Sequence, residues 1–147
     1  MPYLITWTTH NSWLPGDPRG FRTRKGKQYV PPPARYADGS SEVYDPKKYE
    51  GLYRFHSGKD AVRLSEEQRE VVAERVVYTI EKMCSGRWVL CAGEVHVHAL
   101  VELDERSAVS RFCQFAKGGS ARKLIALGHK GKVWARKYHA RPVDSWS

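Results

Sequence analysis

The alternation of apolar and polar positions divides this chain into elements before any chemistry is considered. Tyr3-Leu4-Ile5-Thr6-Trp7-Thr8-Thr9 is rich in aromatic and β-branched residues and ends at a turn cluster, which predicts a first strand. Ser65-Glu66-Glu67-Gln68 has the form of a capping box, and Val72, Val76, Ile80 and Met83 then recur at helical spacing. A helix is therefore expected from Ser65, with acids at its amino end and Ser85-Gly86 as its stop. Two strands follow, Arg87 to Ala92 and Val95 to Leu103, close enough across Gly93-Glu94 for a tight hairpin. A second helix is expected from Ser107, with Val109, Phe112, Phe115 and Ala116 turned inward. Gly118-Gly119 should break or kink it, and Ala121 to Leu127 could continue it. Short extended segments at Val133–Arg136 and Tyr138–Val143 close the pattern. The order β, α, β, β, α, β predicts an α+β layer, with helices on one face of a mainly antiparallel sheet.

Between the first strand and the first helix, at about residues 10–55, the pattern fails. Pro15-Gly16-Asp17-Pro18, Pro31-Pro32-Pro33 and a basic run through Arg22-Thr23-Arg24-Lys25 mark a long loop insertion into a single domain of 147 residues. Its bases interleave with Phe21, Tyr29 and Tyr36, which suits phosphate and base contacts; a solvated insertion is the plainer alternative.

Charge sharpens the picture. The net charge is +9, and from Ser107 onward Asp144 is the only acid among many bases. A field this one-sided favours a polyanion, nucleic acid above all. Lys117, Arg122, Lys123, Arg136 and Lys137 are the expected phosphate contacts. No apolar run has the roughly 20 residues of a membrane span. Nothing resembling a cationic leader precedes the first strand, so a secretion signal is not expected. The 3 cysteines are odd in number and lack paired spacing, which points to a reducing cytoplasm.

His96-Val97-His98 carries the candidate chemistry. Two residues apart in a strand, both imidazoles project from one face with Cα atoms about 6.5 Å apart, near enough to share one divalent ion. Such an ion would polarise a phosphate oxygen. Glu94 lies in the same alternation and could add an oxygen ligand, unless a turn at Gly93 breaks the phase. Two other readings stay open: exposed sheet histidines without a ligand, and a structural zinc site of Cys84, Cys91, His96 and His98.

Three stretches resemble the single-tyrosine branch of the HUH endonucleases, especially the REP-associated tyrosine transposases. They are Glu94-Val95-His96-Val97-His98-Ala99-Leu100-Val101, the helix bearing Gln114-Phe115-Ala116-Lys117 and Ser120, and Lys132-Val133-Trp134-Ala135-Arg136-Lys137-Tyr138. With the first strand, the likeness covers about the last third of the chain. The resemblance implies a ferredoxin-like sheet, a divalent ion (Mg²⁺ or Mn²⁺) on His96 and His98, and single-stranded or hairpin DNA as substrate. It also implies a tyrosine nucleophile that forms a 5′-phosphotyrosine link, DNA transposition as the outcome, a cytoplasmic, nucleoid-associated protein and a possible homodimer. In that family the nucleophile sits on a helix after the Trp-containing strand, and this chain ends before one. Tyr138 is the candidate catalytic tyrosine, with strand packing as its other reading. Expected functions are therefore a transposase-like endonuclease, a non-catalytic DNA binder of the same fold, or a hydrolase using water with Glu94, His96 and His98.

Overall fold

The structure is a computed structural model that describes residues 1–12, 21–22, 29–30 and 61–144. By its contacts the chain divides into two compact units, Met1–His10 with Val62–Ser147, and Asn11–Ala61. Of the smaller unit, strands β2 (Phe21–Arg22) and β3 (Tyr29–Val30) are described as an antiparallel pair. The expected Pro-rich runs and Tyr36 lie outside the described residues. The excursion runs further than the sequence pattern suggested, because its neck is closed at Val62: Val62 N donates to His10 O at 3.0 Å, and Thr9 Oγ1 to Val62 O at 2.6 Å.

The larger unit is an α+β layer. Strands β1 (Pro2–Thr8), β4 (Ser85–Ala92), β5 (His96–Glu102) and β6 (His139–Pro142) form one sheet in the order β4-β5-β1-β6, every neighbouring pair antiparallel. Helix α1 (Glu66–Met83) leads from the β1 side of the chain to β4, and α2 (Ala108–Ala126) leads from β5 to β6. Each crossover therefore joins parallel strands with one strand between them.

Both central strands alternate strictly. Tyr3, Ile5 and Trp7 on β1, and Val97, Ala99 and Val101 on β5, are buried in one cluster with Val72, Val76 and Ile80 of α1 and Val109, Phe112, Ala116 and Leu124 of α2. Burying each large apolar side chain contributes about 1.5–3 kcal/mol, so a one-residue slip of register would forfeit most of the core. That cost fixes which residues occupy the opposite, helix-free face.

The first helix follows its sequence signals: Ser65 Oγ accepts from Gln68 N at 3.2 Å, and Gln68 Oε1 accepts from Ser65 N at 2.9 Å. Two expectations for α2 fail. The helix runs unbroken through Gly118-Gly119, because Gly119 is buried where the two helices meet and the Arg75 guanidinium fills the space of its missing Cβ. Phe115 does not turn inward and is 49% exposed, since the buried stripe follows Val109, Phe112, Cys113, Ala116, Ser120 and Leu124. No helix among the described residues is long and apolar enough to cross a membrane.

Candidate metal and nucleic-acid site

On the helix-free face the strand register sets residues from four strands side by side. Residues directly opposite in an antiparallel pair share a face. Cys91 stands opposite His98, His98 opposite Thr6, and Thr6 opposite His139, which makes one row across the sheet. His96 stands opposite Thr8 in the next row.

The two imidazoles lie with ring centroids 4.5 Å apart at an interplanar angle of 57°. Thr6 Oγ1 is 2.8 Å from His98 Nδ1. If Nδ1 carries the proton and donates to that hydroxyl, Nε2 keeps its lone pair for an ion, the kind of outer contact that fixes a ligand's tautomer. Burial, with the like charge of His96 beside it, holds the His98 imidazole below its ordinary value. It is therefore neutral at pH 7, as a metal ligand must be. Gly93 completes the arrangement: a Cβ there would stand 3.3 Å from Cε1 and Nε2 of His96, so the ring rests against bare backbone.

The other expected ligands are placed elsewhere. The connection breaks the strand phase before β5, and Glu94 pairs with Arg63 at 3.7 Å while its carbonyl accepts from Leu64 N. Cys84 caps the end of α1, where burial and then the nearby Asp104 push its thiol up to about 11. Among the described residues, no three His, Cys, Asp or Glu side chains gather where one ion could sit. The sequence-level zinc set and the Glu94-completed set are thus not assembled. What remains is a two-imidazole site that could hold a divalent ion whose other positions are filled by water and phosphate oxygens. Nitrogen donors suit Mn²⁺ and the later transition ions better than Mg²⁺, which prefers an all-oxygen octahedron.

The expected phosphate contacts separate into two groups. Arg122 and Lys123 are exposed on α2, and Arg136 and Lys137 are exposed just before β6. Lys117 is different. Its ammonium donates to Ala135 O at 2.8 Å, Arg136 O at 3.2 Å and Lys137 O at 3.2 Å, which uses all three of its N–H bonds inside the protein. Burial lowers its pKa, against a smaller opposing effect of Cys113. Beside it Trp134 Nε1 donates to Lys117 O at 3.1 Å and to Ser120 Oγ at 3.0 Å, and the Trp134 ring meets Trp7 edge-on with centroids 6.1 Å apart. Lys117, Ser120 and Trp134 therefore dock the last segment onto α2. Tyr138 is 40% exposed and directly precedes His139, the last residue of the cross-sheet row.

Thr6 and Gly93 were not singled out as site residues by sequence. Gly93 carries a turn signal that hides its contact with His96. Thr6 becomes visible only through a pairing between residues far apart in the chain. The chain matches no protein-family model and no curated protein.

Proposed function

We propose that this chain is a transposase-like protein that binds single-stranded or hairpin DNA and performs metal-dependent nicking and transfer of one strand through a tyrosine. The observation that carries the reading is the pair of neighbouring imidazoles on the open sheet face, with Thr6 bonded to one of them. The strand order with its two crossovers suits the ferredoxin-like sheet implied by the resemblance. The exposed bases along α2 and before β6 suit a polyanion, and the free thiols suit a reducing, cytoplasmic setting.

In this reading His96 and His98 hold a divalent ion, which when bound offsets the negative charge of the scissile phosphate. Thr6 orients His98, and Tyr138, next in sequence to the His139 that ends the row, is the candidate nucleophile. Its phenol oxygen would form the new bond to phosphorus as the bond to the 3′ oxygen breaks, and the phenol proton would pass to solvent. The phosphodiester energy is kept in the tyrosyl link, so rejoining needs no other energy source.

A labelled hairpin oligonucleotide incubated with Mn²⁺ or Mg²⁺ and resolved on a denaturing protein gel tests this. A covalent adduct that is lost in Tyr138→Phe and in His96→Ala/His98→Ala is the expected result. Retention of the DNA without cleavage would instead support a non-catalytic DNA-binding protein. That second reading is favoured by one finding: among the described residues no third side chain joins the two histidines. Cleavage without an adduct would indicate water as the nucleophile.

A further inference from the structure

Between Trp134 and His139 the chain leaves the sheet edge and returns to it. Thr9 bridges to Trp134, Ala135 N donates to Thr8 O at 2.9 Å, and Thr6 pairs with His139. Residues 135–138 thus stand opposite residues 7–8 alone, a two-residue excess that bulges outward. Beneath the bulge lies the Lys117 ammonium, on which the carbonyls of Ala135, Arg136 and Lys137 converge.

This convergence has a geometric corollary. None of the described peptide bonds is cis, and in a trans peptide the N–H points opposite to the C=O. The amides of Arg136, Lys137 and Tyr138 therefore point away from the ammonium. All three residues are exposed, and among the described residues no group accepts a hydrogen bond from these amides. Successive outward amides flanked by an arginine and a lysine make an anion-binding surface.

We propose that this bulge is a phosphodiester-binding site, in which the amides of Arg136, Lys137 and Tyr138 and the side chains of Arg136 and Lys137 hold one backbone phosphate of a nucleic-acid strand. Lys117 is its positioning residue: it turns three carbonyls inward and so turns three amides outward. The site rests on the nucleic-acid reading above, although free phosphate offers the same chemistry. It also lies on the strand that brings His139 to the end of the cross-sheet row, so a strand gripped here would lead toward the histidine pair.

Amide NMR of the full chain, titrated without metal with oligothymidylate and separately with inorganic phosphate, tests the site. The amides of residues 136–138 should shift with both probes, and the oligonucleotide should saturate at the lower concentration. Arg136→Gln/Lys137→Gln should lower the salt slope of oligonucleotide binding by about 0.7 units, the value for one phosphate of a single strand, while phosphate still shifts the three amides. Lys117→Met should remove those shifts and weaken oligonucleotide binding about tenfold or more, with the β5 amides unchanged. Lys117→Arg should fail likewise, because a planar fork does not present three donors from one point. Wild-type behaviour of Lys117→Arg would reduce Lys117 to a charge and overturn its positioning role. If the oligonucleotide binds but shifts only other amides, the bulge is the wrong site while the nucleic-acid reading survives. If phosphate shifts the bulge and the oligonucleotide does not bind, the nucleic-acid occupant is refuted along with that reading.

Discussion

The two helices pack against the same sheet, but they are built in opposite ways. Helix α1 carries Glu66, Glu67, Glu70, Glu74 and Glu81 among its charges and is closed by its own capping box. Helix α2 carries Arg111, Lys117, Arg122 and Lys123 and no acid. Its N-cap, Ser107, makes no capping bond and instead donates to Glu105 Oε2 at 2.9 Å. Beyond the core that both helices share, the first helix is held by signals that lie within it. The second is held by what docks on it: Trp134 on Ser120, the carbonyls of residues 135–137 on Lys117, and Arg75 against Gly119. A helix stabilised from outside can spend its polar residues on placing another segment. Here that segment runs into β6, next to the strand that bears Thr6.

The largest test of this contrast is Trp134→Ala. The ring is 8% exposed, packs edge-on against Trp7 and has its N–H satisfied twice. Truncation should cost about 3–5 kcal/mol by urea unfolding. It should also release the Ala135 amide, which donates to Thr8 O, to rapid hydrogen exchange while the amides of α1 stay protected. A loss of less than about 1 kcal/mol, or equal deprotection of both helices, would mean that α2 does not depend on the docked segment.

Two serines offer a matched pair of smaller changes. Ser120→Ala removes a buried hydroxyl that accepts from Trp134 and donates to Ala116 O at 2.7 Å, and should cost about 1–2 kcal/mol. Ser65→Ala removes an exposed cap and should cost about 1 kcal/mol. Their distribution matters more than their size. Exchange should accelerate at the amides of Ala135 and His10, bonded to Thr8 O and Val133 O, in the first variant and only in the first turn of α1 in the second. The reverse pattern would invert the comparison.

The same contrast explains what could be read from the sequence. The capping box of α1 and the alternation of β5 are local patterns, and residues 65–83 and 96–102 fold as those patterns state. The glycine pair in α2 misleads because propensity sees a missing Cβ and not the Arg75 side chain that occupies its place. Lys117 reads as a phosphate contact because a charge pattern does not reveal its partner, which is backbone sequence-distant from it. His96 and His98 declare themselves by spacing, whereas the Thr6 hydroxyl reaches His98 only through register between β1 and β5. The carboxylate expected at Glu94 fails for the converse reason: a turn shifts the phase, and Arg63 takes the side chain.

Substitution at Gly119 is the most discriminating, because it pits propensity against packing at one atom. Gly119→Ala should gain about 0.8–1 kcal/mol from helix propensity alone. The new methyl would stand 2.5 Å from the Arg75 guanidinium carbon, so that side chain must swing away. In moving it would give up its bond to Thr79 Oγ1 at 2.7 Å and its place 4.7 Å from the Tyr78 ring centroid, contacts worth about 0.5–1.5 kcal/mol each. The losses offset or exceed the gain, leaving Gly119→Ala between neutral and about 2 kcal/mol less stable than wild type. In an Arg75→Ala background nothing opposes the propensity gain, and the same substitution should stabilise by about 1 kcal/mol. A double-mutant cycle by urea unfolding reads the difference. Equal stabilisation in both backgrounds would show that Arg75 does not hold the crossing, and that the glycine in α2 answers to some other contact.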